Sequence, residues 1–222
     1  KARGYYQEVL IYNENHLPTL LNLAFIDGLT KDEKSMVGNL QQAIEAKPKS
    51  FKQRLILAGY YLTRGEPEKA SFLINELDEI QKNSPAVLNL IAMSHLALKE
   101  YQEARIALEK LIALQPNSAN THHLLAKAHA GLNDRQGTKA ELKNTVELAP
   151  NNLTARIALA RLLLLENNMA DVREQLEVLK KLAPENSDVL LIEASMAILN
   201  ANPNEALRLT EKAFNISPTT SN

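Results

Sequence analysis

Small and apolar residues recur along the chain at an interval of 34 residues. If Leu17 is counted as position 1 of the first 34-residue repeat, position 8 of every repeat is alanine. These alanines are Ala24, Ala58, Ala92, Ala126, Ala160 and Ala194. Four prolines are spaced by the same 34 residues, and the two earlier positions of this series are Lys82 and Pro48. The prolines are Pro116, Pro150, Pro184 and Pro218. A single repeat register therefore covers residues 17–220.

Each repeat contains two stripes of apolar positions. Positions 7, 8 and 11, and then positions 20, 24 and 27, follow steps of three and four residues, which place each set on one face of a helix. Polar turns such as residues 64–67 and 200–203 separate the two stripes. Each repeat is therefore predicted to be two amphipathic helices, and the fold class is predicted to be all-α. The predicted repeats are 17–50, 51–84, 85–118, 119–152, 153–186 and 187–220.

The two ends of the series differ from its middle. Residues 1–16 match the second half of a repeat, with Ala2 at position 20 and Tyr6 at position 24. We expect them to form the second helix of a truncated preceding repeat, with further repeats upstream. In repeat 187–220, Glu193 and Thr210 replace residues that are apolar in the other repeats, as expected of a terminal repeat. The whole chain is expected to form one continuous solenoid domain.

A 34-residue helix-turn-helix repeat with small residues at positions 8 and 20 and a closing proline resembles the tetratricopeptide repeat (TPR) family. The resemblance implies a right-handed superhelical solenoid of antiparallel helix pairs, with the first helices lining a concave groove. The family's aromatic residue at position 4 is absent, and its usual glycine at position 8 is alanine. Position 4 holds Leu20, Arg54, Leu88, His122, Arg156 and Leu190.

The leucine- and alanine-rich segments 111–119 and 152–164 are similar to the TPR-repeat lipoprotein of the bacterial PEP-CTERM/exosortase system. This resemblance implies a role in exopolysaccharide or surface-protein sorting. It also implies a parent protein that is periplasmic or anchored to the outer membrane as a lipoprotein in a Gram-negative bacterium. A cytoplasmic parent is the alternative, because the absence of cysteine does not fix the compartment.

Composition excludes several classes of function. Lysine and arginine number 25 against 26 aspartate and glutamate residues, so no excess positive charge attracts nucleic acid or an anionic membrane. The absence of cysteine excludes thiolate metal sites and cysteine nucleophiles. No phosphate-binding glycine loop, HExxH motif or serine nucleophile elbow is present, and no apolar run approaches the roughly 20 residues of a membrane helix. The chain is therefore predicted to be non-catalytic, without cofactor, metal, nucleic acid or direct membrane insertion.

Four polar residues occupy positions on the packing faces, where a metal site or a general acid is a possible interpretation. His95 and His129 share position 11 of successive repeats and suggest a metal pair. We favour partly buried rings that replace Tyr61 of an earlier repeat, because no carboxylate falls on the matching face to complete a ligand set. Glu193 and Asp27 are interpreted as residues near the array ends, with Glu193 an exposed end cap, rather than as general acids.

In the TPR family, positions 2, 5 and 9 of the first helix project into the groove. In the central repeats, the residues predicted to bind a peptide there are Asn89, Met93, Asn120, His123, Lys127, Thr154, Ile157 and Arg161. Amides hydrogen-bond a peptide backbone, Lys127 and Arg161 hold carboxylates, and Met93 accepts an apolar anchor. The predicted function is a protein–protein interaction scaffold for an acidic, partly apolar protein or peptide. The alternative is a structural array that forms homo-oligomers through its repeat ends, and a glycan in the groove is left open.

Overall fold

The computed structural model of the chain describes residues 1–48 and 50–216. These residues form fourteen α-helices and no strand. The helices are α1 Ala2–Tyr12, α2 Leu17–Leu29, α3 Glu33–Ala46, α4 Lys52–Thr63, α5 Pro67–Asn75, α6 Glu79–Lys82, α7 Pro85–Ala97, α8 Tyr101–Leu114, α9 Ala119–Gly131, α10 Arg135–Leu148, α11 Leu153–Leu165, α12 Met169–Leu182, α13 Ser187–Leu199 and α14 Pro203–Ile216. The predicted all-α class is confirmed. Pro218 lies outside the described residues, and none of the described helices is both long and apolar enough to cross a membrane.

The 34-residue interval appears in the backbone of the turns between paired helices. Position 15 of each repeat has a positive φ, between 56° and 71°. The residues at this position are Lys31, Gly65, Lys99, Asn133, Asn167 and Ala201. The following residue donates its N–H to the carbonyl oxygen of position 11, at 2.8–3.0 Å in all six turns. This is the Schellman arrangement that ends a helix, and it fixes where the second helix of each pair begins.

The alanines at position 8 are buried in the first helix of each pair. All six are between 0% and 4% exposed. A methyl group lets the two helices pack tightly, where a larger side chain would hold them apart. The period in the sequence therefore corresponds to a repeated packing contact.

The helices divide into two compact halves, Lys1–Leu114 and Gln115–Asn222. In the N-terminal half, one buried cluster contains Ala24, Leu40 and Leu57, and a second surrounds Ala58 and Ile74. In the C-terminal half, buried clusters form around α11 and between α13 and α14. The boundaries of the individual repeats stay a prediction.

Repeat 51–84 departs from the predicted pattern of two helices. Its second helix divides into α5 and α6, because Asp78 and Gln81 form a capping box that starts a new helix. Leu77 is buried in the interruption, whereas Ile80, three residues later in α6, is 87% exposed. The expectation of one continuous second helix is therefore wrong for this repeat.

Candidate functional site

The C-terminal half carries six of the eight predicted binding residues on α9 and α11. Asn120 and Lys127 of α9 and Thr154 of α11 are exposed, and His123 is half-buried. Ile157 differs from them, because it is 7% exposed and belongs to the core around α11. It offers a ligand almost no surface.

Arg161, the sixth residue, is exposed but already paired. Its Nη2 donates to Oδ1 of Asp188 at 2.7 Å, which links α11 to α13. Both side chains are about half exposed, at 51% and 43%. The cation predicted to bind a ligand carboxylate is therefore paired with a carboxylate of its own chain.

Lys127 and His123 lie one turn apart on α9. Within the described residues, Lys127 has no hydrogen bond or ion pair, so its charge is available to a ligand. The Nδ1 atom of His123 is buried without a hydrogen-bond partner. Burial, and then the charge of Lys127, lower the pKa of His123 from its ordinary value of 6.5. His123 is therefore a neutral ring beside a free cation at neutral pH.

Asn89 and Met93 lie on α7, in the N-terminal half. The Nδ2 group of Asn89 donates to the sulfur of Met93 at 3.5 Å, and Met93 is 37% exposed. The predicted amide and soft apolar group are thus neighbours on one helix face. Their role in binding stays a prediction.

An apolar cavity of about 570 Å³ opens between α11 and α13. It is lined by Arg161, Leu164, Leu165, Ser195, Ile198 and Leu199. Leu165, Ile198 and Leu199 are more than half exposed. The sequence analysis missed this cavity because it considered positions 2, 5 and 9 only, whereas the apolar lining comes from positions 12 and 13. The available signal was the run of leucine and isoleucine at those positions in two successive repeats, where α9 has Ala130 and Gly131.

Three position-4 residues, treated above only as departures from the family pattern, form buried polar contacts. Arg54, His122 and Arg156 are each 8% exposed. Each donates to the carbonyl oxygen of the proline six residues earlier, at 2.6, 2.9 and 2.6 Å respectively. Each also binds a side chain farther along its own repeat. These second partners are Glu76, Glu141 and Gln175. Through these contacts each of the three residues connects a first helix to the proline that closes the preceding predicted repeat.

The two histidines at position 11 have carboxylate partners that the sequence analysis did not find. Nδ1 of His95 lies 2.6 Å from Glu100, and Nδ1 of His129 lies 2.8 Å from Asp134. In each pair the carboxylate belongs to the residue immediately before the second helix. Residues 1–48 and 50–216 contain no group of three or more histidine and acidic side chains that could hold a metal ion.

Asp27 and Glu193 have specific partners, and the expectation that Glu193 is an exposed end cap is wrong. Glu193 is half-buried, and its Oε1 lies 2.5 Å from Nζ of Lys180 on α12. Asp27 is completely buried and binds Arg3 of α1 at 2.8 Å and Asn39 of α3 at 2.8 Å. Asp27 therefore attaches α1 to the first complete helix pair.

Comparison with known proteins agrees with this repeated geometry. A model of the family "Anaphase-promoting complex, cyclosome, subunit 3" matches residues 33–111. No curated protein sequence matches the chain. A structure from the functional characterisation of Pseudomonas aeruginosa pilF has a TM-score of 0.76 at 18% identity, over 99% of this chain and 96% of that one. The chain has the tetratricopeptide repeat fold.

Two further TPR-fold structures have functions in their descriptions. PilW, described as a widely conserved type IV pilus biogenesis factor, has a TM-score of 0.76 at 18% identity, over 92% of this chain and 95% of that one. YrrB, described as a TPR protein with an unusual peptide-binding site, has a TM-score of 0.66 at 19% identity, over 82% of this chain and 93% of that one. The TPR fold thus extends over both compact halves of the chain.

Proposed function

We propose that this TPR chain is a non-catalytic scaffold that binds a segment of another protein on the first helices of its C-terminal half. The observation that carries the proposal is the open apolar cavity between α11 and α13, which has Arg161 at its edge. An apolar cavity with few polar groups is the usual form of a binding site. Its volume of about 570 Å³ lies within the range of such sites.

The exposed polar residues indicate the chemistry of the bound segment. Lys127 is an unpaired cation, and Asn120 and Thr154 offer hydrogen-bonding groups to a peptide backbone. In the C-terminal half, where Ile157 is buried, the cavity supplies the apolar contact. The segment is therefore acidic and partly apolar. Asn89 and Met93 are a second candidate contact, which belongs to the N-terminal half.

The comparisons supply examples of such roles in proteins of the same fold. The unusual peptide-binding site of YrrB supports recognition of a protein segment. The pilus biogenesis role of PilW supports a bacterial surface-assembly system as the setting. Exopolysaccharide or surface-protein sorting by a lipoprotein parent is the more specific version of that setting, and it stays a prediction.

The proposal is tested by reversing the charges of Lys127 and Arg161 on the first helices of the C-terminal half. Peptides selected from a displayed random library should be rich in acidic residues and in leucine or isoleucine. The double variant Lys127→Glu with Arg161→Glu should weaken their binding at least about tenfold, because each new carboxylate repels the ligand. Fluorescence anisotropy measures the affinity, and circular dichroism should show unchanged helicity.

A matched control reverses two exposed cations on α12, with Arg173→Glu and Lys181→Glu. This control makes the same change in net charge and should leave affinity within about twofold. If both double variants bind the selected peptides as the parent does, the proposed binding face is wrong. If the library gives no binding peptide, recognition of a peptide segment is wrong.

Self-association is a second candidate function, favoured by the outer face of α14. Leu207 and Phe214 lie two turns apart on this helix and are 60% and 57% exposed. Large exposed apolar side chains often mark contact surfaces. Light scattering of the parent should then show mass increasing with concentration, and Leu207→Glu with Phe214→Glu should abolish the increase. A constant monomer mass for the parent would exclude this candidate.

A further inference from the structure

Arg156 is a buried cation that has no carboxylate partner among the described residues. It is 8% exposed, and its hydrogen bonds within the described part of the chain go to neutral oxygens. Nε donates to the carbonyl oxygen of Pro150, and Nη1 donates to Oε1 of Gln175. A guanidinium has five N–H donors, so the remaining ones are available. Because a buried charge is costly without an opposite charge, Arg156 is suited to bind an anionic group that the chain does not supply.

The corresponding residue of the preceding repeat has the carboxylate that Arg156 lacks. Nδ1 of His122 lies 2.5 Å from Oε2 of Glu141, which is 19 residues later in the sequence. The residue 19 positions after Arg156 is Gln175, which accepts a hydrogen bond but carries no charge. Glutamine in the place of glutamate thus leaves the charge of Arg156 uncompensated.

A cavity of about 400 Å³ is lined by Arg156 and by residues of α10, α11 and α12. Its volume lies within the range of small-molecule sites. Lys143 and Glu147 of α10 and Glu174 of α12 are exposed lining residues, and none of the three has a hydrogen bond or ion pair within the described residues. Asp171, a fourth charged lining residue, is half-buried. None of the lining residues belongs to the cavity between α11 and α13.

The charges around this cavity decide which kind of ligand it fits. A simple anion gains the bond to Arg156 but is repelled by three carboxylates, which belong to Glu147, Asp171 and Glu174. A simple cation is repelled by Arg156 and Lys143. A molecule that carries both charges gains a charge-assisted contact at each end.

We propose that this cavity binds a small zwitterion with a carboxylate and an ammonium group, the chemistry of a free α-amino acid. Its carboxylate binds the unused donors of Arg156 in the buried part of the cavity. Its ammonium group pairs with the exposed carboxylates of Glu147 and Glu174. The inference is independent of the proposed function, because the peptide-binding face uses other residues.

The test titrates the common L-α-amino acids one by one into the parent protein, with isothermal titration calorimetry as the measurement. At least one should bind with a dissociation constant below about 1 mM. Two analogues of the tightest binder are then compared with it, one without the ammonium group and one without the carboxylate. Each analogue should bind at least about tenfold more weakly, because it loses one charge-assisted contact.

Two variants examine the two ends of the ligand separately. Gln175→Glu gives Arg156 a carboxylate of its own chain and should abolish binding, while circular dichroism shows unchanged helicity. Glu147→Gln with Glu174→Gln should weaken binding of the amino acid at least about fivefold, because the ammonium group loses its partners. The same double variant should tighten binding of the analogue without the ammonium group, because two repelling carboxylates are gone.

Matched controls make the same changes in charge outside the cavity. Gln136→Glu adds one negative charge on α10, and Glu177→Gln with Glu211→Gln removes two, all at exposed positions. Both controls should bind the amino acid as the parent does.

Three outcomes would overturn the inference. The first is that no amino acid binds the parent, and the second is that the analogue without the ammonium group binds as tightly as the amino acid. The third is that Gln175→Glu binds the amino acid as the parent does. None of these outcomes affects the peptide-binding face, which is tested through Lys127 and Arg161.

Discussion

Repeats 119–152 and 153–186 make the same inter-repeat connection with different side chains. His122 and Arg156 both occupy position 4, and both are 8% exposed. Each donates to the carbonyl oxygen of the proline six residues earlier. Each also contacts the residue 19 positions later, which is Glu141 for His122 and Gln175 for Arg156.

The difference shows what this pair of contacts requires of a side chain. A carbonyl oxygen and an ionised carboxylate only accept hydrogen bonds, so His122 makes both contacts when each ring nitrogen carries a hydrogen. Arginine supplies two donors at every accessible pH. These two contacts therefore need two donors that diverge from one buried group. Position 4 itself does not require donors, because Leu20, Leu88 and Leu190 occupy it in other repeats.

Removal of either side chain should give the largest effect. Arg156→Ala and His122→Ala should each lower the free energy of unfolding by about 2–4 kcal/mol, because buried acceptors lose their donors and a cavity opens. Chemical denaturation monitored by circular dichroism measures the loss. Arg173→Ala, an exposed residue of α12, should change stability by less than about 0.5 kcal/mol. If Arg156→Ala and His122→Ala both change the free energy of unfolding as little as Arg173→Ala does, the contacts at position 4 do not stabilise the fold.

Exchange of histidine for arginine should have a smaller effect and tests the two-donor explanation directly. His122→Arg should lose less than about 1 kcal/mol, since the guanidinium reaches both Pro116 and Glu141 as its counterpart Arg156 reaches Pro150 and Gln175. His122→Lys supplies a cation with one compact donor group that cannot reach both acceptors, so it should be clearly less stable than His122→Arg. Equal stability of the arginine and lysine variants would mean that charge alone is sufficient.

The repeat pattern predicted the parts of this structure that depend on backbone geometry. Alanine at position 8 belonged to the predicted apolar face of the first helix, and the polar turn residues indicated the ends of the first helices. Both predictions use short-range steric rules, which act within one repeat and recur with its period. The all-α TPR fold was predictable for this reason.

The pairing of individual side chains was not predictable in the same way. Arg161 was predicted to hold a ligand carboxylate, but its partner in the structure is Asp188, 27 residues away on another helix. Glu193 stands at an apolar position and pairs with Lys180, which no period in the sequence associates with it. In repeat 51–84, the local capping preference of Asp78 interrupts a continuous apolar stripe. These outcomes depend on three-dimensional neighbours or on competing local signals.

The smallest expected effect is a change in the pKa of His123, the sequence neighbour of His122. His122 faces a carboxylate, whereas His123 is partly buried beside Lys127, and burial followed by that charge lowers its pKa from 6.5. Lys127→Gln should raise the pKa of His123, though not fully to 6.5, because burial remains. Lys127→Arg keeps the charge and should leave the pKa unchanged. Nuclear magnetic resonance titration of the ring protons, assigned with His123→Gln, measures both.

The sign of the effect on stability follows from the same shift. Since the pKa of His123 is lower in the folded chain than in the unfolded one, the unfolded chain binds the proton first as pH falls. The contribution of His123 to the free energy of unfolding therefore decreases as pH falls through 6.5 towards the folded value. His123→Gln should remove this part of the pH dependence. If Lys127→Gln leaves the pKa of His123 unchanged, the charge of Lys127 does not act on the ring, and an acidic ligand at Lys127 would not change the protonation of His123 either.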